Sequence, residues 1–149
     1  MKEYFPAEHV KEKTLEIYQQ LLGLEFKKLP KVATWHKDAA AYEVRDKETN
    51  GVLGQFYLDL YPRPDKFNHA AAFTLLKRAR VGGKVEGAAV AMVTNFNPPQ
   101  GDIPALLQHH EVVTFFHEFG HVMHNLCSEA NYTRFSGASV ERDFVEMPS

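Results

Sequence analysis

The run from Phe115 to Leu126 (FFHEFGHVMHNL) constrains this chain more than any other segment. Phe115, Phe116, Phe119, Val122, Met123 and Leu126 recur at helical spacing and leave little polar surface, so the segment reads as a helix packed into a core. Set into it is His117-Glu118-Phe119-Gly120-His121, an HExxH pattern. Residues four apart on a helix stand about 40° from each other and one turn along, so both imidazoles can reach a common point. Histidines on a buried helix need a partner, and one shared cation satisfies both. Zn²⁺ is the natural occupant: it accepts imidazole nitrogen at about 2.0 to 2.1 Å and works with three protein ligands and an open fourth position. Glu118 is rotated off the ligand line, which makes it the candidate general base and not a ligand.

A third protein ligand is required, and spacing leaves it undecided. Glu141 lies twenty residues after His121 and Glu146 twenty-five, with Asp143 and Glu129 as weaker candidates. On one helix Glu141 and Glu146 would point about 140° apart, so only one of them can face the ion. His124 sits about 10.5 Å of helix rise beyond His117 and belongs to an outer layer. His109, His110 and Glu111 are expected on the helix surface or as hydrogen-bond partners of the ligands. His9, His36 and His69 are isolated in sequence, which favours no special role.

Upstream, Val10, Thr14, Ile17, Tyr18 and Leu21 mark an amphipathic helix over residues 6–22, opened by Pro6 and closed by Gly23. Residues 24–96 read as a sheet region. Leu24 to Lys28 is a short strand, and Ala40 to Arg45 with Val52 to Tyr61 form a hairpin around Asn50-Gly51. In the second arm Phe56, Leu58 and Leu60 alternate with Gln55, Tyr57 and Asp59, predicting one buried and one wetter face. Asn68 to Leu75 is a further strand candidate, and Ala88 to Phe96 is apolar enough to be covered on both faces. Between them Lys77, Arg78, Arg80 and Lys84, with Gly82 and Gly83, read as a solvated loop. Asn97 to Gly101 breaks the chain. Asp102 and Pro104 are the expected opening of the long helix, which runs to about Leu126, and a last helix should begin near Ser139. Residues 103–149 thus form the helical active-site part of an α+β chain with a small mixed sheet.

The 149 residues suffice for one core, and a formal charge of −2 offers no basic stripe for nucleic acid or an anionic membrane. A charged N-terminus and the lack of a long apolar run predict a cytoplasmic chain that does not span a membrane. Cys127 is the single cysteine, which excludes an internal disulfide, and it is expected to be a buried small hydrophobe near a helix end.

The wording around the motif is more specific than HExxH alone. Phe116 to His124 (FHEFGHVMH), Phe135-Ser136-Gly137, and Glu141 to Ser149 (ERDFVEMPS) resemble the thimet oligopeptidase, neurolysin and saccharolysin family of zinc endopeptidases. The resemblance extends to Tyr4-Phe5-Pro6, YQQLLGL at 18–24, GQFYLDLYP at 54–62, His69-Ala70-Ala71 and Leu106 to His109, and so covers essentially the whole chain. It implies that Glu146 is the third ligand and Glu141 only a neighbour, with one Zn²⁺ per chain. It also implies a zincin-like core fragment of a longer, mostly helical peptidase that cuts internal bonds of short peptides inside a deep channel. The expected function is therefore zinc-dependent hydrolysis of short peptides. The isolated piece is expected to be weakly active or inactive, and prone to self-association through apolar surface. The alternatives are a non-catalytic zinc-binding module and a helical interaction fragment in which the motif is incidental.

Overall fold

The computed structural model describes residues 5–149, so Tyr4 of the N-terminal motif lies outside it. Helix α1 (Ala7–Leu22) starts after an extended Pro6 and stops at Gly23, whose φ of 66° few other residues adopt at low cost. Its buried residues are Ala7, Val10, Thr14 and Leu15. Ile17 and Leu21, expected in the same stripe, are 47% and 74% exposed, since the buried stripe of the helix ends at Leu15.

Strands β1 (Leu24–Lys28), β2 (Ala40–Asp46), β3 (Val52–Asp59), β4 (Ala71–Leu76) and β7 (Ala88–Val93) form one sheet in the order β1-β2-β3-β7-β4. Only β3 and β7 run parallel, so the sheet is mixed, as expected. The β2–β3 hairpin is present, but residues 47–51 connect it in place of a two-residue turn. Asp46 Oδ1 accepts from the Thr49 N–H and hydroxyl, and Asn50 takes the left-handed conformation at φ 58°. β7 has no exposed residue, matching its apolar run.

Several readings are corrected. Residues 79–86 are not a plain loop: β5 (Ala79–Val81) pairs with β6 (Lys84–Glu86) around Gly82 and Gly83, both at positive φ. Charged side chains mask the hairpin in sequence because β6 is solvent-exposed throughout. The long helix α2 (His109–Cys127) begins seven residues after Asp102. Residues 105–107 are instead held extended against the N-terminus, where Ala7 donates to the Ala105 carbonyl at 2.8 Å and Leu107 to the Phe5 carbonyl at 2.8 Å. Glu111 then caps α2, its carboxylate accepting from the Gln108 N–H at 2.6 Å. Cys127, finally, is exposed at the last position of α2. The last helix, α3 (Arg142–Val145), starts three residues later than Ser139 suggested.

An aromatic cluster seats α2 on the sheet. Phe119 meets Phe56 of β3 edge-on at 5.3 Å, Tyr18 of α1 at 5.0 Å and Phe26 of β1 at 6.0 Å. Such pairs add roughly 0.5–1.5 kcal/mol each beyond the area they bury.

Asp59, expected on the wetter face of β3, is 1% exposed. Arg63 grips its carboxylate with two bonds of 2.8 Å, Trp35 Nε1 donates at 2.7 Å, and Lys66 Nζ lies 2.9 Å away. Lys66 also donates to the carbonyls of Asp59, Tyr61 and Thr94, which ties the ends of the parallel pair together. Burial alone would raise the Asp59 carboxyl; Arg63, Trp35 and Lys66 outweigh it and hold the group well below the ordinary carboxylate range. A carboxyl depressed by folding contributes stability above its unfolded pKa, about 4, and loses it as pH falls toward the folded value. Asp59→Asn is therefore expected to lower neutral-pH stability by about 3 kcal/mol and to flatten the acid limb below about pH 4. Thermal unfolding from about pH 7 to about pH 2 checks both.

Candidate metal centre

With Phe115 and Phe119 turned into the core, His117 lies two residues from each and so about 200° round the helix. It is 44% exposed by its side chain, and His121, one turn on, is 14% exposed. The two rings stand 4.8 Å apart and at 89° to each other.

Of the four carboxylates considered as partners, the chain brings Glu146 to the pair. Glu146 follows α3 directly, and its Oε2 lies 3.4 Å from His117 Nε2 and 3.2 Å from His121 Nε2. Among the described residues, these three form the one group of His, Cys, Asp or Glu able to share a metal, with ligand atoms within 4.8 Å of one another. Tetrahedral ligands at zinc distances would be about 3.3 Å apart, so the two carboxylate–imidazole spacings suit such an ion. Nitrogen, nitrogen and oxygen donors with an exposed carboxylate also fit a zinc site that keeps a position free. Glu141 instead precedes α3 as its cap, and Glu129 sits 3.7 Å from Arg78. Asp143, in the first turn of α3, is outside the group as well.

Gly120 explains how Glu146 can approach. A Cβ on Gly120 would stand 2.4 Å from the Pro148 carbonyl oxygen and 2.7 Å from the Ser149 Cα. The backbone after Glu146 thus lies directly against α2, and Ser149 returns a hydroxyl to Glu146 Oε2 at 2.9 Å. That bond, opposed by slight burial and aided by the two histidines, holds the Glu146 carboxyl below its usual range.

Glu118 is 8% exposed and outside the ligand group. Burial pushes its carboxyl up from the ordinary value, partly offset by His117, His121 and the Ala72 backbone N–H of β4. Glu118 is thus a buried carboxylate of raised proton affinity directly beside the His117–His121–Glu146 group.

His124 stays out of the group, its ring edge-on to Phe144 at 6.1 Å. The Nδ1 atoms of His121 and His124 are buried and find no hydrogen-bond partner among the described residues. His109 packs edge-on to Phe5 at 6.3 Å. Sequence reasoning gave no role to Asn125, whose buried amide bonds the His121 carbonyl at 2.8 Å and Thr74 at 2.9 Å. The available signal was a polar residue four after His121, at core spacing from Val122. The close approach at Gly120 was equally missed, although glycine inside a buried helix invites that reading.

No helix is long and apolar enough to cross a membrane among the described residues. The chain is 47% identical to a thimet-like oligopeptidase of Dictyostelium discoideum, 40% to saccharolysin of Saccharomyces cerevisiae and 35% to oligopeptidase A of Escherichia coli. Each match takes in 100% of this chain and 22% of the relative, so the chain spans about a fifth of the length of these curated relatives. The model of peptidase family M3 matches residues 1–149 from end to end, and with these relatives beside it the chain belongs to that family.

Proposed function

We propose that this chain is the metal-binding and proton-transfer part of a zinc endopeptidase acting on short peptides, with His117, His121 and Glu146 as ligands and Glu118 as general base. The observation that carries the reading is the meeting of two α2 imidazoles with a carboxylate far along the chain, at 3.4 and 3.2 Å. Zinc held there supplies Lewis acidity, which acidifies water toward a pKa of about 7 and polarises a peptide carbonyl. Glu118, buried and raised in proton affinity, takes the proton from the attacking water and hands it to the departing amine. The names of two relatives, thimet-like oligopeptidase and oligopeptidase A, support peptides as the substrate class. β4 lies at the sheet edge and is bonded through Thr74 to Asn125 of α2, so an extended peptide added along that edge would pass the helix that carries Glu118.

His117 and Glu146 are 44% and 61% exposed, so water reaches the site as this chain builds it. Charge stabilisation is weak in water, and these 149 residues alone are expected to be weakly active or inactive. The deciding measurement is metal content after dialysis against metal-free buffer. One zinc per chain, removed by a chelator together with peptidase activity of the intact enzyme and restored with it, is expected. Failure to retain any metal would leave a fold without this chemistry.

A further inference from the structure

Glu146 is 61% exposed, and α3 before it has no buried residue, so beyond the Ser149 hydroxyl its own surroundings do little to hold it opposite the histidines. Its position is set by how the chain enters and leaves. On leaving, it is stopped by Gly120. On entering, residues 128–138 pass over the end of α2, and there the contacts converge on one side chain.

Asn125 is 4% exposed. Its Nδ2 donates to the His121 carbonyl at 2.8 Å within α2. Its Oδ1 accepts from the Thr74 hydroxyl of β4 at 2.9 Å and faces the Ala138 N–H at 3.4 Å. Gly137 is packed so tightly here that a Cβ on it would lie 2.3 Å from Asn125 Oδ1 and 2.9 Å from Asn125 Cα, and its φ of 61° already disfavours other residues. Neighbouring bonds secure the same crossing: the Gly137 N–H donates to Ser128 Oγ at 2.9 Å and Lys77 Nζ to Ser139 Oγ at 2.6 Å.

We propose that Asn125 is a positioning residue for the metal site: one buried amide locks the end of α2, strand β4 and the loop leading to Glu146 into a single register. This rests on the zinc reading above. The same amide ties the turn carrying His121 to strand β4 through the Thr74 hydroxyl. A buried amide of this kind is replaceable only by a group with both a donor and an acceptor in the same places.

The test compares wild type, Asn125→Ala, Thr74→Val and the double variant in the intact polypeptide. It reads zinc affinity by chelator competition and the visible spectrum of the cobalt-substituted protein. Asn125→Ala is expected to bind zinc about tenfold to a hundredfold more weakly and to alter the cobalt spectrum, with far-ultraviolet circular dichroism unchanged. Thr74 is exposed, so its variant folds even should Asn125→Ala not. It is expected to weaken zinc about threefold or more and to add nothing on top of Asn125→Ala, since contacts in one network are not additive. Unchanged zinc affinity and an unchanged cobalt spectrum in both single variants overturn the inference while the zinc reading stands. A wild type that binds no zinc overturns the zinc reading and this inference with it.

Discussion

Glu118→Gln in the intact enzyme is expected to keep its zinc and to lose peptide hydrolysis by about a hundredfold to ten-thousandfold, the range a positioned general base supplies. Glutamine preserves the size of the side chain and removes its capacity to accept a proton. The fold should not register the change, because Glu118 is held mainly by burial, and a neutral amide there is cheaper to bury than a carboxylate. The substitution thus separates chemistry from architecture. Metal content by elemental analysis and single-turnover cleavage of a quenched peptide are the two readouts. Retained zinc with near-normal turnover would remove Glu118 from the reaction.

Glu146→Gln is expected to act in the opposite way, on the metal first. Loss of a direct ligand should weaken zinc by more than about a hundredfold, above what groups one step removed from a metal typically cost. Glu141→Gln serves as the control, since Glu141 occupies the N-cap position of α3 without a side-chain bond there and lies outside the ligand group; it should bind zinc as wild type does. Gly120→Ala should resemble Glu146→Gln without touching a ligand. The added methyl would stand 2.4 Å from the Pro148 carbonyl oxygen, and the segment after Glu146 would have to withdraw. Equal zinc affinity in the Glu141 and Glu146 variants would show that the carboxylate has been assigned to the wrong residue.

Much of the fold was legible because it rests on local pattern. The alternation of Phe56, Leu58 and Leu60 announced a half-buried strand, and these residues are buried. The apolar run of β7 announced a strand covered on both faces, and none of its residues is exposed. What failed was overruled by partners distant in sequence. Pro104 after Asp102 looks like a helix opening, yet Ala105 and Leu107 are drawn extended by bonds to Ala7 and Phe5. Asp59 falls on the polar beat of β3, but Trp35, Arg63 and Lys66 close over it and make a buried carboxylate tolerable. The first outcome cannot be read from a window of neighbouring residues, and the second needs Trp35, 24 residues away, beside the local Arg63 and Lys66.

The site divides along the same line. A helix has one geometry, so residues four apart share a face wherever the helix lies; that His117 and His121 could meet one ion, with Glu118 beside them, follows from spacing. Glu141 and Glu146 were left level by spacing, and only resemblance to known peptidases separated them. Their difference in space comes from the crossing of residues 128–138 over Asn125 and the stop at Gly120, contacts made between segments that the linear chain holds apart. Periodicity determines which side chains share a face; close packing between elements decides which of two similar carboxylates comes within reach.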